Sequence, residues 1–321
     1  MHIKQNLKKY IIEAMDMIDE SLDRLNVPVY RRFIHAAHDF VDIYIIDSSY
    51  KSKKDLKSSS FFYETIIATT YNWYHDKYGQ LAIPQTTNNY SGLILIHGVV
   101  KKIIIPSTIS KYEEHNNTFK ITFPDCFQDS EKIEDFFEFD LSTIKLDDTE
   151  TSKIIDKFHL IVSLTRKINL NTMSISDFQP NFRKMSVGIW SHFENAINGF
   201  LSLNDSIVSV GCWDLHFAVE KSMKIYLSLF SITKRTHDLM ELSDLIMNED
   251  DSLNLDLLKK MPDYKKAIKM RYSEEHVKIT EAVNIYIIAL TIVENITEKF
   301  PRKYKINNHS IWLNKPQWFD D

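Results

Sequence analysis

Residues 213–230, WDLHFAVEKSMKIYLSLF, decide the architecture of this chain. Trp213, Leu215, Phe217, Ala218, Val219, Met223, Ile225, Tyr226 and Leu229 cover almost every side of the segment and leave a thin polar edge at Asp214, Lys221 and Ser228. A helix that is apolar nearly all round has to be surrounded by other helices, so its place is the middle of a bundle. KRTHDLMEL follows at 234–242, then a connector that ends in MRYSEEH at 270–276. The segment KITEAVNIYIIALTIVENI (278–296) comes next, and its Ile279, Val283, Tyr286, Leu290 and Val293 recur at helical spacing.

The bundle pattern extends upstream. From Ser152, the residues Ile154, Ile155, Phe158, Ile161, Val162, Leu164 and Ile168 form one helical stripe, and a further helix runs through Ile189, Phe193, Ala196 and Ile197. The first half has another texture. Helices are predicted over about 3–24, 30–46 and 61–78 from their apolar periodicity, with Pro28 and Gly79 as breakers and the Lys- and Ser-rich stretch 48–60 as an exposed loop. The β-branched and aromatic runs 93–97, 99–105 and 119–123 are separated by Gly98, Pro106 and Asn116-Asn117, which is turn chemistry, and predict a small antiparallel sheet. The expected organisation is an α+β domain at 1–150, an all-α helical bundle at 151–300 and a tail at 301–321, mostly helical overall. In the tail, Trp312 and Trp318 are the candidates for docking on a neighbour.

Composition excludes several classes of function. A hydrophobic fraction of 44% and a charged fraction of 26% are those of a globular protein, and a net charge of −5 argues against a surface that is basic all over. The two cysteines, Cys126 and Cys212, are far apart and form no CxxC pair, so neither a disulfide framework nor a thiolate zinc site is expected. The six glycines are too scattered for GxGxxG or GxxxxGK[ST], and GxSxG and HExxH are missing, which leaves no backbone phosphate cradle and no hydrolase or zincin signature. No cofactor is expected. The opening MHIKQNLKKYIIEAM lacks a signal-peptide core, and no uninterrupted apolar run of spanning length is present, so a cytoplasmic protein without a membrane segment is the expectation.

From Cys212 to Ile296 the order of helices and connector resembles a HEPN domain, the small helical bundle of many prokaryotic toxin and defence proteins. Arg271-Tyr-Ser-Glu-Glu-His276 falls where ribonucleases of that family place an Arg and a His, between two long bundle helices. The resemblance covers less than half the chain. It implies a metal-independent endoribonuclease that works as a homodimer, with two Arg–His pairs lining a shared cleft and RNA as the partner. His276 would act as general acid or base on the 2′-hydroxyl, and Arg271 would grip the phosphate and stabilise developing charge. DNA has no 2′-hydroxyl and would not be cut. By analogy, such bundles joined to unrelated domains serve in toxin systems and antiviral defence. Tyr272 departs from the pattern, because these ribonucleases carry a polar residue there; the Arg-Tyr pair is similar to a branch associated with nucleotidyltransferases.

Two bland readings stand beside the catalytic one. On any reading Ser273 is the expected cap of the last helix, with His276 in its first turn; in the first bland one His276 only caps that helix while Arg271 pairs with Glu274 or Glu275, and the bundle is a non-catalytic module that dimerises or binds a partner enzyme, a nucleotide or RNA. In the second, Glu220, Lys221, His237 and Asp238, which match recurrent family positions and are candidates for binding, are structural instead. Glu220 and Lys224 then form an i,i+4 ion pair, Asp214 reaches Lys221 only poorly, and His237 and Asp238 follow a Thr236 cap. His35, His38, Asp39 and Asp42 share one helical face, a spacing that suits a divalent metal and equally an ordinary polar face; no metal site is expected.

Overall fold

A computed structural model describes residues 2–83, 89–113, 117–145, 147–173, 175 and 180–314. The chain is mostly helical, 63%, and its strands form a two-stranded and a three-stranded sheet among the described residues.

Two compact units divide the chain. The first comprises Met1–Thr87, Tyr112–Phe119 and Leu313–Asp321. Its helices are α1 (His2–Arg24), α2 (Val29–Tyr44), the short α3 (Lys53–Lys57) and α4 (Ala68–Tyr78), the last entered through a π-helical turn at Phe62–Ile67. The loop expected at 48–60 therefore contains one turn of helix, capped by Ser52, whose hydroxyl accepts from the Asp55 amide. Ile11, Met15, Ile18, Phe40, Val41, Phe62 and Ile66 make the core. On α1, Ile11, Ala14, Met15, Ile18 and Leu22 are buried, while Tyr10 and Met17 face solvent. A buried carboxylate, Asp19, ties three helices together by accepting from Arg32 at 3.1 Å, from Lys77 at 3.2 Å and from the Tyr78 hydroxyl. Burial pushes its pKa up, and those hydrogen bonds outweigh burial to leave it below the ordinary carboxylate value.

The second unit comprises Asn88–Lys111 and Lys120–Trp312. Its helices are α5 (Asp148–Met173), α6 (Pro180–Leu201), α7 (Asp205–Leu229), α8 (Leu239–Glu249), α9 (Tyr264–Arg271) and α10 (Ile279–Glu298). As its sequence requires, α7 is the central helix, packed by α6, α8, α9 and α10. Its start is capped by Asn204, which accepts from the amides of Ser206 and Ile207. By length and composition α10 is the one helix among the described residues that would reach across a membrane, yet Ala282, Val283, Tyr286, Ala289, Leu290 and Val293 are spent on the bundle core.

Strands β1 (Asn89–Ile96) and β2 (Val99–Pro106) form an antiparallel hairpin in which Ile96 lies opposite Val99. The two-residue turn places His97 and Gly98 at φ 47° and 77°, the left-handed geometry that matches strand twist. The hairpin residues Leu93, Ile94, Ile103 and Ile105, with Phe136, share one core with Phe158, Val162, Phe193, Leu215 and Tyr286. A boundary at residue 150 thus cuts through this unit. The apolar face of the hairpin needs a cover, and α5, α6 and α10 provide it.

Strands β3 (Ile109–Glu113), β4 (Thr118–Thr122) and β5 (Ser310–Asn314) form the second sheet in that order. The tail is held by structure that its composition did not announce. The Phe123 amide donates to the His309 carbonyl at 3.0 Å, the Asn308 amide to the Phe123 carbonyl at 2.8 Å, and Lys120 stands 5.5 Å above the Trp312 ring. Trp318 lies outside the described residues.

Candidate functional site

The polar edge of α7 is where chemistry collects. Trp213, Phe217, Glu220 and Lys224 follow one another at helical spacing, with Asp214 and Lys221 beside them, so one side of the helix carries rings, carboxylates and ammonium groups together.

Glu220 is the buried centre of this face, with its side chain only 4% exposed. It accepts from Lys224 Nζ at 2.7 Å, as the ion-pair reading predicts, and both of its oxygens lie 3.0 Å from His237 Nδ1. His237 stands just before α8 in the loop that leaves α7. The helix cap is Asp238, which accepts from the Met240 amide at 2.9 Å, while Thr236 Oγ1 accepts from the Asp238 amide at 3.2 Å. Asp238 thus has a structural role, with the cap two residues later than expected. The His237 carbonyl accepts from His216 Nε2 at 2.8 Å. His216 is fully buried on α7, and burial pushes its pKa below the ordinary value.

A second chain of polar contacts runs along the other flank of α7. His192 of α6 donates from Nδ1 to Asp214 Oδ1 at 2.8 Å, and Lys221 Nζ donates to His192 Nε2 at 3.4 Å. Asp214 and Lys221 are linked through this imidazole rather than directly. Gly188 makes the arrangement possible, because a Cβ there would run into the Lys221 side chain, 3.0 Å from its Cδ. Aromatic contacts join the two flanks. Phe217 stacks on His192 with centroids 5.3 Å apart, meets Trp213 edge-on at 4.5 Å and His237 at 5.7 Å, and Tyr264 of α9 stacks on His237 at 6.1 Å.

Arg271 reaches the same face. Its guanidinium stands 5.5 Å from the Trp213 centroid and 5.6 Å from that of Tyr272. Among the described residues it has no ion pair, so the pairing with Glu274 or Glu275 required by the bland reading is not made. The chain after Arg271 closes α9 instead of opening α10. Ser273 takes φ 57°, its amide donates to the Met270 carbonyl at 3.0 Å, and the Glu274 amide donates to the Lys269 carbonyl at 2.9 Å. That is the double bond of a left-handed helix stop. Ser273 is therefore no N-cap. Helix α10 begins at Ile279, after Lys278, so His276 lies three residues before it and not in its first turn.

The connector is fastened to the start of α7 by Ser273 Oγ donating to the Ser206 carbonyl at 3.3 Å and the Val277 amide donating to Ser209 Oγ at 3.2 Å. His276 is exposed and makes no hydrogen bond among the described residues. No hydrogen bond or ion pair joins Arg271 to His276 among the described residues; Arg271 meets the α7 face through Trp213, and His276 is exposed.

His192 was not singled out by sequence, and no local signal points to it: its partners are 22 and 29 residues away and meet it only because α6 packs on α7. Cys212 lies one residue from Trp213 but is buried, which pushes its pKa to about 12 and keeps it a protonated thiol. The polar face of α2 serves local packing: His38 rests on the Phe62 ring at 5.1 Å and Asp42 pairs with Lys57 at 2.6 Å. No cluster of three metal-ligating side chains forms among the described residues. Compared with protein-family models, curated proteins and solved structures, the chain finds no match.

Proposed function

We propose that the helical unit binds RNA and cuts it without a metal ion, acting as a homodimer in the manner of the HEPN ribonucleases that its Arg271–His276 segment resembles. The observation that carries this reading is the guanidinium of Arg271, over the Trp213 ring and without an ion pair among the described residues. An Arg supported from below by an indole keeps its N–H fork open to a phosphate, and the neighbouring rings of Phe217, His237 and Tyr264 are of the kind on which unstacked bases rest. His276, exposed and free of intramolecular bonds among the described residues, is available to move a proton at the ribose 2′-hydroxyl or the leaving oxygen.

The test is incubation of labelled RNA with the protein in EDTA, beside Arg271→Ala and His276→Ala. The expected result is cutting that leaves 2′,3′-cyclic phosphate ends and falls by about 100-fold or more in each variant. Undiminished cutting by both would move the activity elsewhere. RNA binding with no cutting would make the bundle a binding module, the reading that Tyr272 favours.

A further inference from the structure

We infer that His237, held by Glu220, is the general base of the RNA cut. This rests on the ribonuclease reading above and gives a proton-transfer role to two residues that the sequence offered only as binding candidates.

The argument begins with the carboxylate. Glu220 is removed from water, and its partners are Lys224 Nζ and His237 Nδ1, the latter 3.0 Å from both oxygens. An anion so placed fixes the imidazole with its proton on Nδ1 and the lone pair on Nε2. His237 is nonetheless open to solvent, with 47% of its side chain exposed, and Nε2 has no hydrogen bond among the described residues. The same carboxylate stabilises the imidazolium that forms when Nε2 takes a proton, so the pair has the division of labour of a histidine and its orienting acid.

Further contacts restrain His237. Its carbonyl is held by the buried His216, its ring meets Phe217 edge-on and stacks on Tyr264, and the next residue caps α8. A surface histidine in a loop has no structural need of a buried carboxylate, two rings and a fixed backbone. A base that must meet a substrate in one orientation does. His276 has none of this support. The substrate would lie along the face that His237 shares with Arg271 through the Phe217–Trp213 ring contact.

In the step itself, His237 Nε2 removes the proton of a ribose 2′-hydroxyl. The 2′-oxygen bonds to the adjacent phosphorus while the bond from phosphorus to the 5′-oxygen breaks. His276 gives a proton to that 5′-oxygen and recovers one through water from His237, leaving a 2′,3′-cyclic phosphate and a 5′-hydroxyl, with His237 neutral again.

The experiment measures single-turnover cutting of labelled RNA in EDTA, and RNA binding, for the full chain and for His237→Ala and Glu220→Gln. His237→Ala is expected to cut about 100-fold more slowly with binding within a few-fold of wild type, and added imidazole should restore part of the rate. Glu220→Gln, scored per folded molecule because the side chain is buried, should lose about 10- to 100-fold. Nitrogen NMR of the ring should find the proton on Nδ1 in the native protein and a mixture of tautomers in Glu220→Gln. Cutting by His237→Ala within about twofold of wild type would overturn the inference and leave the ribonuclease reading standing, as would a rate loss matched by an equal loss of binding. A native chain that does not cut RNA would overturn both.

Discussion

His216 is the imidazole whose charge the fold resists most clearly. It is fully buried on α7, donates from Nε2 to the His237 carbonyl at 2.8 Å, and finds no hydrogen-bond partner for Nδ1 among the described residues. Burial lowers its pKa, and the nearby His237 and Pro262 carbonyls and the Glu220 carboxylate pull back only in part. The unfolded chain thus takes up the proton at a higher pH, about 6.5, than the folded chain does. This contribution to stability is complete above that value and is lost as pH falls through the lowered folded value. Thermal melts between pH 7.5 and 5 should show Tm falling with acid. His216→Gln, whose amide can still donate to the His237 carbonyl, should show a shallower fall. Parallel curves for the two proteins would show that His216 carries no such burden. At this scale the sequence is read unevenly. Glu220–Lys224 is visible because an i,i+4 pair is local, whereas Glu220–His237 spans 17 residues and depends on where the loop after α7 turns back. His192 belongs to the same class: nothing within its own helix marks it, and only packing supplies Asp214 and Lys221.

Between elements, two glycines of the α6–α7 contact set opposite tests. A Cβ on Gly211 would stand 2.7 Å from Phe200 Cε1 and 3.2 Å from the Ala196 carbonyl oxygen, a ring and a backbone that cannot both move away. Gly211→Ala should therefore destabilise the protein by about 1–3 kcal/mol in urea denaturation, more than the gain in helix propensity of about 1 kcal/mol returns. Gly188→Ala meets only the end of the flexible Lys221 side chain. Its stability should hold or rise by up to about 1 kcal/mol, while Lys221 swings off His192. Equal losses of stability in the two variants would contradict this account of the helix contact. The helices themselves were legible, since periodicity reports which face is apolar. The start of α10 was not. Ser273-Glu274-Glu275 has the composition of a helix start, yet Ser273 turns left-handed to end α9, in a connector that Ser206 and Ser209 of α7 hold in place. Local composition cannot anticipate a tertiary anchor of that kind.

For the molecule as a whole, the decisive group is Arg166 of α5. Its guanidinium is fully buried and is satisfied by Glu131 at 2.7 and 2.6 Å, by the Cys126 carbonyl at 2.8 Å and by the Pro106 carbonyl at 3.0 Å. All of these partners lie before residue 150, as do Leu93, Ile94, Ile103 and Ile105 of the hairpin that completes the same core. Composition changes near residue 150 because strands and loops give way to helices, and a change of texture is not a change of core. A chain cut there would bury a cation without its anion and uncover the apolar side of α5, either of which exceeds the margin of an ordinary domain. The expected outcome is that residues 88–312 unfold cooperatively in urea, whereas residues 151–312 give no cooperative transition. In the full chain, Glu131→Gln should cost about 3–5 kcal/mol, the usual penalty for leaving one partner of a buried pair uncompensated. A cooperative fold for 151–312 would mean that the six helices supply their own core and that the hairpin is an ornament. The placement of Arg166 argues the reverse, because among the described residues the partners of its guanidinium all lie outside the six helices.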